Sequence, residues 1–185
     1  MKSDQNWVAG LTGGQLQTFR DLYDLFSDKV YNTALSYTQN TVDAEEVTQE
    51  VFIRIFQKAS QFKGDSTLST WIYRISVNTS LNFLRKKRRF LFFKTGEAEI
   101  DQPDFQHPGV LLENKEEATY LFKTIATLPE SQKTAFILSY IEHLPRQEVA
   151  DIMDLSLKAV ESLLQRGKNN LRKKLEKFYP DRRKE

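Results

Sequence analysis

The 185-residue chain is predicted to be all-α, folded as two small helical domains joined by a flexible linker. Three observations predict this. Apolar residues recur at helical spacing over most of the chain, and strand-type alternation is not seen. Capping residues and prolines stand where such stripes begin. A stretch rich in Gly, Pro and acidic residues separates two blocks of stripes.

The first stripe is Phe19, Leu22, Tyr23, Phe26, Val30, Ala34 and Tyr37. Asn40-Thr41 breaks it. Asp43 is the expected cap of the next helix, with Glu46 as its capping-box partner. Val47, Val51 and Ile55 give that helix its inner face, with Phe52 and Phe56 beside it. Phe62 to Asp65, containing Gly64, reads as a turn. Ser66 or Thr67 caps a third helix with Leu68, Trp71, Ile72 and Ile75 inward, running on towards Phe83 and Leu84. These helices make a first domain over residues 1–94. Residues 95–112 carry Gly96, Pro103, Pro108 and Gly109 among acids and read as the linker.

The second domain covers residues 113–185. Leu121, Ile125 and Leu128 form its first stripe. Pro129 opens a helix through Ala135, Phe136 and Tyr140, since proline loses no backbone donor in a first turn. Pro145 opens a short helix with Val149, Ile152 and Met153 inside. Asp154-Leu155-Ser156 is a turn. Ser156 caps a long helix whose inner row is Val160, Leu164, Leu171, Leu175 and Phe178. A short helix, a tight turn and a longer helix make a helix-turn-helix.

Composition excludes several classes of function. Hydrophobic residues make up 39% and charged residues 28%, which suits a globular domain in water. There is no cysteine, which rules out disulfides and thiolate metal sites. His107 and His143 each stand alone, so no metal or cofactor is expected. Asp43, Glu45, Glu46 and Glu50 lack a His or a facing carboxylate set. Their placement fits a helix N-terminus better than metal catalysis. No nucleophile–base pattern or phosphate loop is present, so the chain is not expected to be an enzyme. Neither a signal peptide nor an apolar run of roughly 20 residues is found, which predicts a cytoplasmic protein without membrane insertion.

Net charge is only +2, but the charges are segregated. Arg85-Lys86-Lys87-Arg88-Arg89 and Arg166 to Lys177 are basic. Asp43 to Glu50 and Glu97 to Glu117 are acidic. That pattern suits separate surfaces for a polyanion and for a basic partner. The basic run after Pro180 reads as a solvated tail. Three readings of Phe90-Leu91-Phe92-Phe93 stand together: packing on the domain, docking on a partner, or touching a membrane surface.

The last helix of the helix-turn-helix is expected to expose Lys158, Glu161, Ser162, Gln165, Arg166 and Lys168. Such a helix fits the DNA major groove, with phosphate contacts added by Arg172 and Lys173. The plain alternative is a charged amphipathic helix that only packs. In the first domain, Leu68 to Leu84 would span about 25 Å as helix. The Arg85–Arg89 run would grip phosphates at one end, with Asn78 and Asn82 set to meet bases. For Trp71 the favoured reading is core packing. For Asn78 an ordinary exposed helix position is an equal alternative.

The order and spacing of Asp43 to Phe56, Phe62 to Arg89 and Leu144 to Leu175 resemble extracytoplasmic-function (ECF) sigma factors of the sigma-70 family. The resemblance spans nearly the whole chain. It implies two helical domains, regions 2 and 4, that bind core RNA polymerase and direct it to promoters without doing chemistry. It implies a polymerase-gripping face at Glu46, Gln49 and Glu50, and a −10 loop and helix start over Gly64 to Thr70. By the same resemblance Asn78 lines a pocket for a flipped −10 base. Asn82, Arg85, Lys86, Arg88 and Arg89 face the adjoining DNA. Lys158, Glu161, Ser162, Gln165, Arg166 and Lys168 face the −35 duplex. A further implied partner is an anti-sigma factor, often anchored in the inner membrane. Two departures stand out. Asp154 replaces the usual turn Gly, and Glu161 replaces a frequent basic residue, so the −35 sequence does not carry over. The rival reading is a stand-alone helix-turn-helix regulator.

Overall fold

The computed structural model describes residues 4–95 and 115–176. Among them there are eight α-helices and no strand. The chain divides into two compact units, Met1–Gln102 and Pro103–Glu185. The expected linker over 95–112, a domain start at Glu113, inward Phe178 and the basic tail lie almost wholly outside the described residues.

In the first unit α1 is Asp4–Thr12, α2 Leu16–Thr38, α3 Thr41–Lys58 and α4 Leu68–Thr95, with a 3-10 turn at Ala59–Gln61. Helices α2, α3 and α4 pack on one another, and α1 lies against α2 and the 3-10 turn. The core holds Leu22, Val30, Val47, Val51, Ile55 and Ile72, each almost fully buried. Phe26, Ala34, Tyr37, Phe52 and Leu84 are buried with them, whereas Tyr23 of the expected stripe is exposed and Phe19, Ile75 and Phe83 are half-buried.

Helix α1 had no counterpart among the expected helices, because Gly10, Gly13 and Gly14 mask it. Gly10 is nevertheless helical and buried. A Cβ there would collide with the Thr18 side chain, so the glycine permits close packing of α1 on α2. Asp4 also accepts the Leu68 amide at 2.9 Å, satisfying a free donor at the start of α4.

Helix α2 stops at Gln39, which adopts a left-handed conformation with φ 54°. The cap of α3 is Asn40 and not Asp43: the Asn40 side chain accepts the Asp43 amide at 3.0 Å. The Asp43–Glu46 capping box therefore does not form. Gly64 takes φ +79° in the expected turn. Thr67 caps α4, its hydroxyl accepting the Thr70 amide at 3.1 Å. Trp71 is half-buried and meets Phe62 edge-on, with ring centroids 5.6 Å apart.

Helix α4 buries a row of small hydroxyl residues, Ser76, Thr79 and Ser80, as α2 does at Thr33 and Ser36. Ser76 and Ser80 bond back to the carbonyls of Ile72 and Ser76, at 2.9 and 2.8 Å. The helix runs on through the aromatic segment, where Phe90, Phe92 and Phe93 are exposed. Leu91 is half-buried and Phe90 lines a groove beside α3, so only Phe92 and Phe93 stand clear of the domain.

In the second unit α5 is Lys115–Ala126, α6 Glu130–Phe136, α7 Arg146–Met153 and α8 Leu157–Leu175. Helices α5, α6 and α7 all pack on α8. Phe122 takes the buried place expected for Leu121, which is half-buried, and Ile125 and Leu128 join it. Pro129 and Pro145 precede α6 and α7. The α6 helix widens into a π turn, Ile137–Ile141, which buries Ile137, Leu138 and Ile141 together. Leu175 is only half-buried.

Candidate functional site

Two surfaces carry the candidate residues. In the first unit α3 and α4 run beside an open groove of about 590 Å³. Its α3 wall includes Glu46, Gln49, Glu50 and Ile53, and its α4 wall Asn82, Phe83, Lys86 and Phe90. Residues expected on two separate surfaces thus share one depression. Buried Thr79 lies at its floor, and its hydroxyl has no hydrogen-bond partner among the described residues.

Helix α3 presents Glu46 and Gln49 to solvent, while Glu50 is half-exposed and paired with Arg54 at 2.7 Å. Sequence reasoning missed the apolar members of this face. Val42, Ile53 and Phe56 are at least half exposed, at 70%, 50% and 51%. Phe56 thus faces outward, although one edge meets Phe19. Val42, Glu46, Gln49, Ile53 and Phe56 are spaced alternately by four and three residues. That spacing sets the five residues in one row along the outer face of α3, an uncovered seam of three apolar and two polar side chains. The spacing was readable in advance, but the stronger inner stripe obscured it. Tyr31 of α2 has its phenol pushed above the ordinary value, first by burial and then by the charge of Glu45 on α3.

Helix α4 exposes Asn78, Asn82, Arg85, Lys86, Arg88 and Arg89. Asn78, Asn82, Arg85 and Arg89 follow a four-three-four spacing and so share a face. Arg85 donates to the Asn82 carbonyl oxygen at 3.3 Å. Lys87 is turned inward to Asp43 at 2.6 Å. Asn78, Arg85, Arg88 and Arg89 are not among the groove's lining residues.

In the second unit Ser156 caps α8 by accepting the Ala159 amide at 3.2 Å. Asp154 takes the left-handed conformation, with φ 55°, that the turn requires. Val160, Leu163, Leu164, Gly167 and Leu171 are buried, leaving Lys158, Glu161, Ser162, Gln165, Arg166 and Lys168 exposed. Three of these have intramolecular partners. Glu161 lies 3.5 Å from Arg146 at the start of α7. Arg166 donates to the Ser162 carbonyl at 3.3 Å. The Lys168 ammonium stands 4.7 Å from the Tyr140 ring centre.

Among the described residues no group of three or more His, Cys, Asp or Glu could hold a metal ion. No described helix is long and apolar enough to cross a membrane.

The family model of sigma-70 region 2 matches residues 22–90, and that of sigma-70 region 4 matches residues 119–171. An ECF RNA polymerase sigma-E factor of Escherichia coli K12 is 30% identical over 183 residues, covering 94% of this chain and 95% of its own. The chain belongs to the ECF RNA polymerase sigma factors. SigW of Bacillus subtilis is 29% identical over 170 residues, covering 88% of this chain and 91% of its own. In fold, the chain is similar to CnrH, solved in complex with the cytosolic domain of CnrY. The TM-score is 0.70 at 20% identity, with 95% of this chain and 98% of that one covered. It is similar too to RpoE of Bartonella quintana in complex with the anti-sigma factor NepR, with TM-score 0.70, 20% identity and 87% and 98% covered. An ECF sigma factor works with RNA polymerase in transcription initiation and is not an enzyme.

Proposed function

We propose that this sigma factor reads two promoter elements with two different helices. Helix α8 takes the −35 duplex, and the exposed face of α4 takes the −10 element and its upstream flank. The carrying observation is the α3–α4 pair, where an uncovered seam lies next to a face bearing amides and cations. The seam of Val42, Glu46, Gln49, Ile53 and Phe56 suits a helix of core polymerase, with Glu46 and Glu50 steering a basic partner. Asn78 and Asn82 have the amides to bond base edges, and Arg85, Lys86, Arg88 and Arg89 the charge to bind phosphates. Asn78 receives the extruded −10 base, returning the few kcal/mol that unstacking costs.

On α8, Lys158, Glu161, Ser162, Gln165 and Arg166 meet the −35 major groove. Lys168, braced on Tyr140, supplies a phosphate contact. Residues 1–94 and 113–185 act as the two DNA-reading domains, with 95–112 between them. A factor with these partners works in the cytoplasm. The relatives solved with CnrY and with NepR motivate a third partner, an anti-sigma factor covering the same apolar seam while the factor is idle. Membrane anchoring would belong to that inhibitor.

Run-off transcription with purified core polymerase on a library of genomic promoters tests this reading. New transcripts that share two sequence elements are expected. Specific duplex binding by the protein alone, with no core-dependent transcript, would favour the stand-alone regulator.

A further inference from the structure

Lys87 lies within the run Arg85–Arg89 yet does not share its neighbours' environment. Its side chain is 23% exposed, whereas Lys86 and Arg88 stand in solvent. Helical spacing explains the difference. Ser80, Leu84, Lys87 and Leu91 recur by four, three and four residues, and Ser80 and Leu84 are buried. Lys87 thus occupies an inward row of α4, where an apolar residue would ordinarily stand. Asp43 makes the charge tolerable. Its carboxylate, 14% exposed, lies 2.6 Å from the Lys87 ammonium. Asp43 stands in the first turn of α3, where a carboxylate is favoured by the helix N-terminus. The other charges lining this groove are Glu46, Glu50, Arg54 and Lys86, and Glu50 is taken by Arg54.

A half-buried ion pair is a weak device for stability, because desolvation offsets its attraction and an apolar pair would do as well. Its better use is register: it forms in one relative placement of two helices. We propose that Asp43 and Lys87 form a pin that fixes the DNA-reading face of α4 relative to the seam of α3. Lys87 is then a positioning residue and not a contact to phosphate. The proposal rests on α4 being a DNA interface. It corrects what the basic run suggests by composition, since one of its five cations is committed within the protein. It also gives Asp43 a part in promoter opening, although Asp43 belongs to the helix that bears the partner seam.

The test uses full-length protein bound to core polymerase on a promoter identified by run-off transcription. Asp43→Asn, Lys87→Gln and the double variant are compared with Lys86→Gln. Three quantities are read where all variants are folded: core affinity, the salt dependence of promoter binding, and the yield of open complex. Lys86→Gln should flatten the salt slope by about 0.9, the loss of one phosphate contact. Lys87→Gln should leave that slope and core affinity unchanged while lowering open-complex yield roughly five-fold or more. Asp43→Asn should do the same, and the double variant should be no worse than either single one. A flattened slope for Lys87→Gln, with Asp43→Asn silent, would make Lys87 a phosphate contact and overturn the pin. Unchanged opening in both single variants would overturn it equally. If Lys86→Gln leaves the slope intact while the pair variants still lower opening together, the phosphate contact assigned to Lys86 fails and the pin between α3 and α4 stands.

Discussion

Single residues decide where helices start and stop in this chain, and their effects were unequally legible. Asp154 and Ser156 act through their own backbone neighbourhood, so the turn between α7 and α8 could be read from its three residues. Asn40 and Asp43 were harder. Both suit an N-cap, they stand three residues apart, and the choice is tied to a tertiary partner: Asp43 pairs with Lys87, 44 residues away. Gly10 was harder still, since its use depends on Thr18 of the next helix. Asp154 gives the cleanest test at this scale. A Cβ in the left-handed region costs about 1–2 kcal/mol, and Asp recovers part of that through local hydrogen bonding. Asp154→Gly should therefore match or slightly exceed wild-type stability. Asp154→Val, branched at Cβ, should lose at least about 1–2 kcal/mol. Chemical denaturation followed by circular dichroism would measure both, and equal stability of the three proteins would show that the turn carries no strain.

At the scale of elements, the strongest stripes were read correctly and the weaker ones were displaced. Helices α2, α3, α4, α7 and α8 appear where their apolar periods place them. Helix α1 escaped because glycine lowers helix propensity, and packing on α2 outweighs that cost. In α5, adjacent Leu121 and Phe122 both fit the period, and the larger ring took the buried place. The outer seam of α3 was legible in spacing but hidden by the stronger inner row. If that seam takes a polymerase helix, Ile53→Asp should weaken core affinity by roughly ten-fold or more, the scale of removing a buried apolar anchor. The helical spectrum should not change, because Ile53 is half-exposed. Replacing Gln49 and Glu50 by Ala should act in the same direction. Normal core affinity in both variants would remove α3 as the docking face. For α8, Arg166→Ala should cost about 1–3 kcal/mol of binding at one −35 base pair if the guanidinium reads a guanine. The comparison needs promoters altered at that pair. A uniform loss across all of them would instead assign Arg166 to the phosphate backbone.

The whole chain has two compact units and little net charge, and both facts bear on how it finds DNA. With only +2 overall, long-range attraction to a polyanion is weak, so in the proposed reading binding comes from the local faces of α4 and α8. Each face is small, so either unit alone should bind DNA loosely. Joined through one polymerase, the second contact becomes intramolecular, and its effective concentration depends on the span between the two elements. Segregated charge is what pointed to these two faces in the sequence. The groove that unites α3 with α4 was not legible there, because its walls come from separate helices, with Arg54 and Thr79 the nearest of their residues in sequence. Promoter spacing should therefore matter far more to the holoenzyme than to either unit. Inserting 5 base pairs between the two elements turns them to opposite sides of a duplex with about 10–10.5 base pairs per turn. Core-dependent transcription should then fall to background, while 10 added base pairs restore facing but lengthen the span by about 34 Å. Recovery with 10 would mean that the attachment between the units tolerates distance. Loss with both insertions would mean that polymerase holds them at a fixed separation. Undiminished transcription with 5 would show that one unit alone selects the promoter, and the two-element reading would fail.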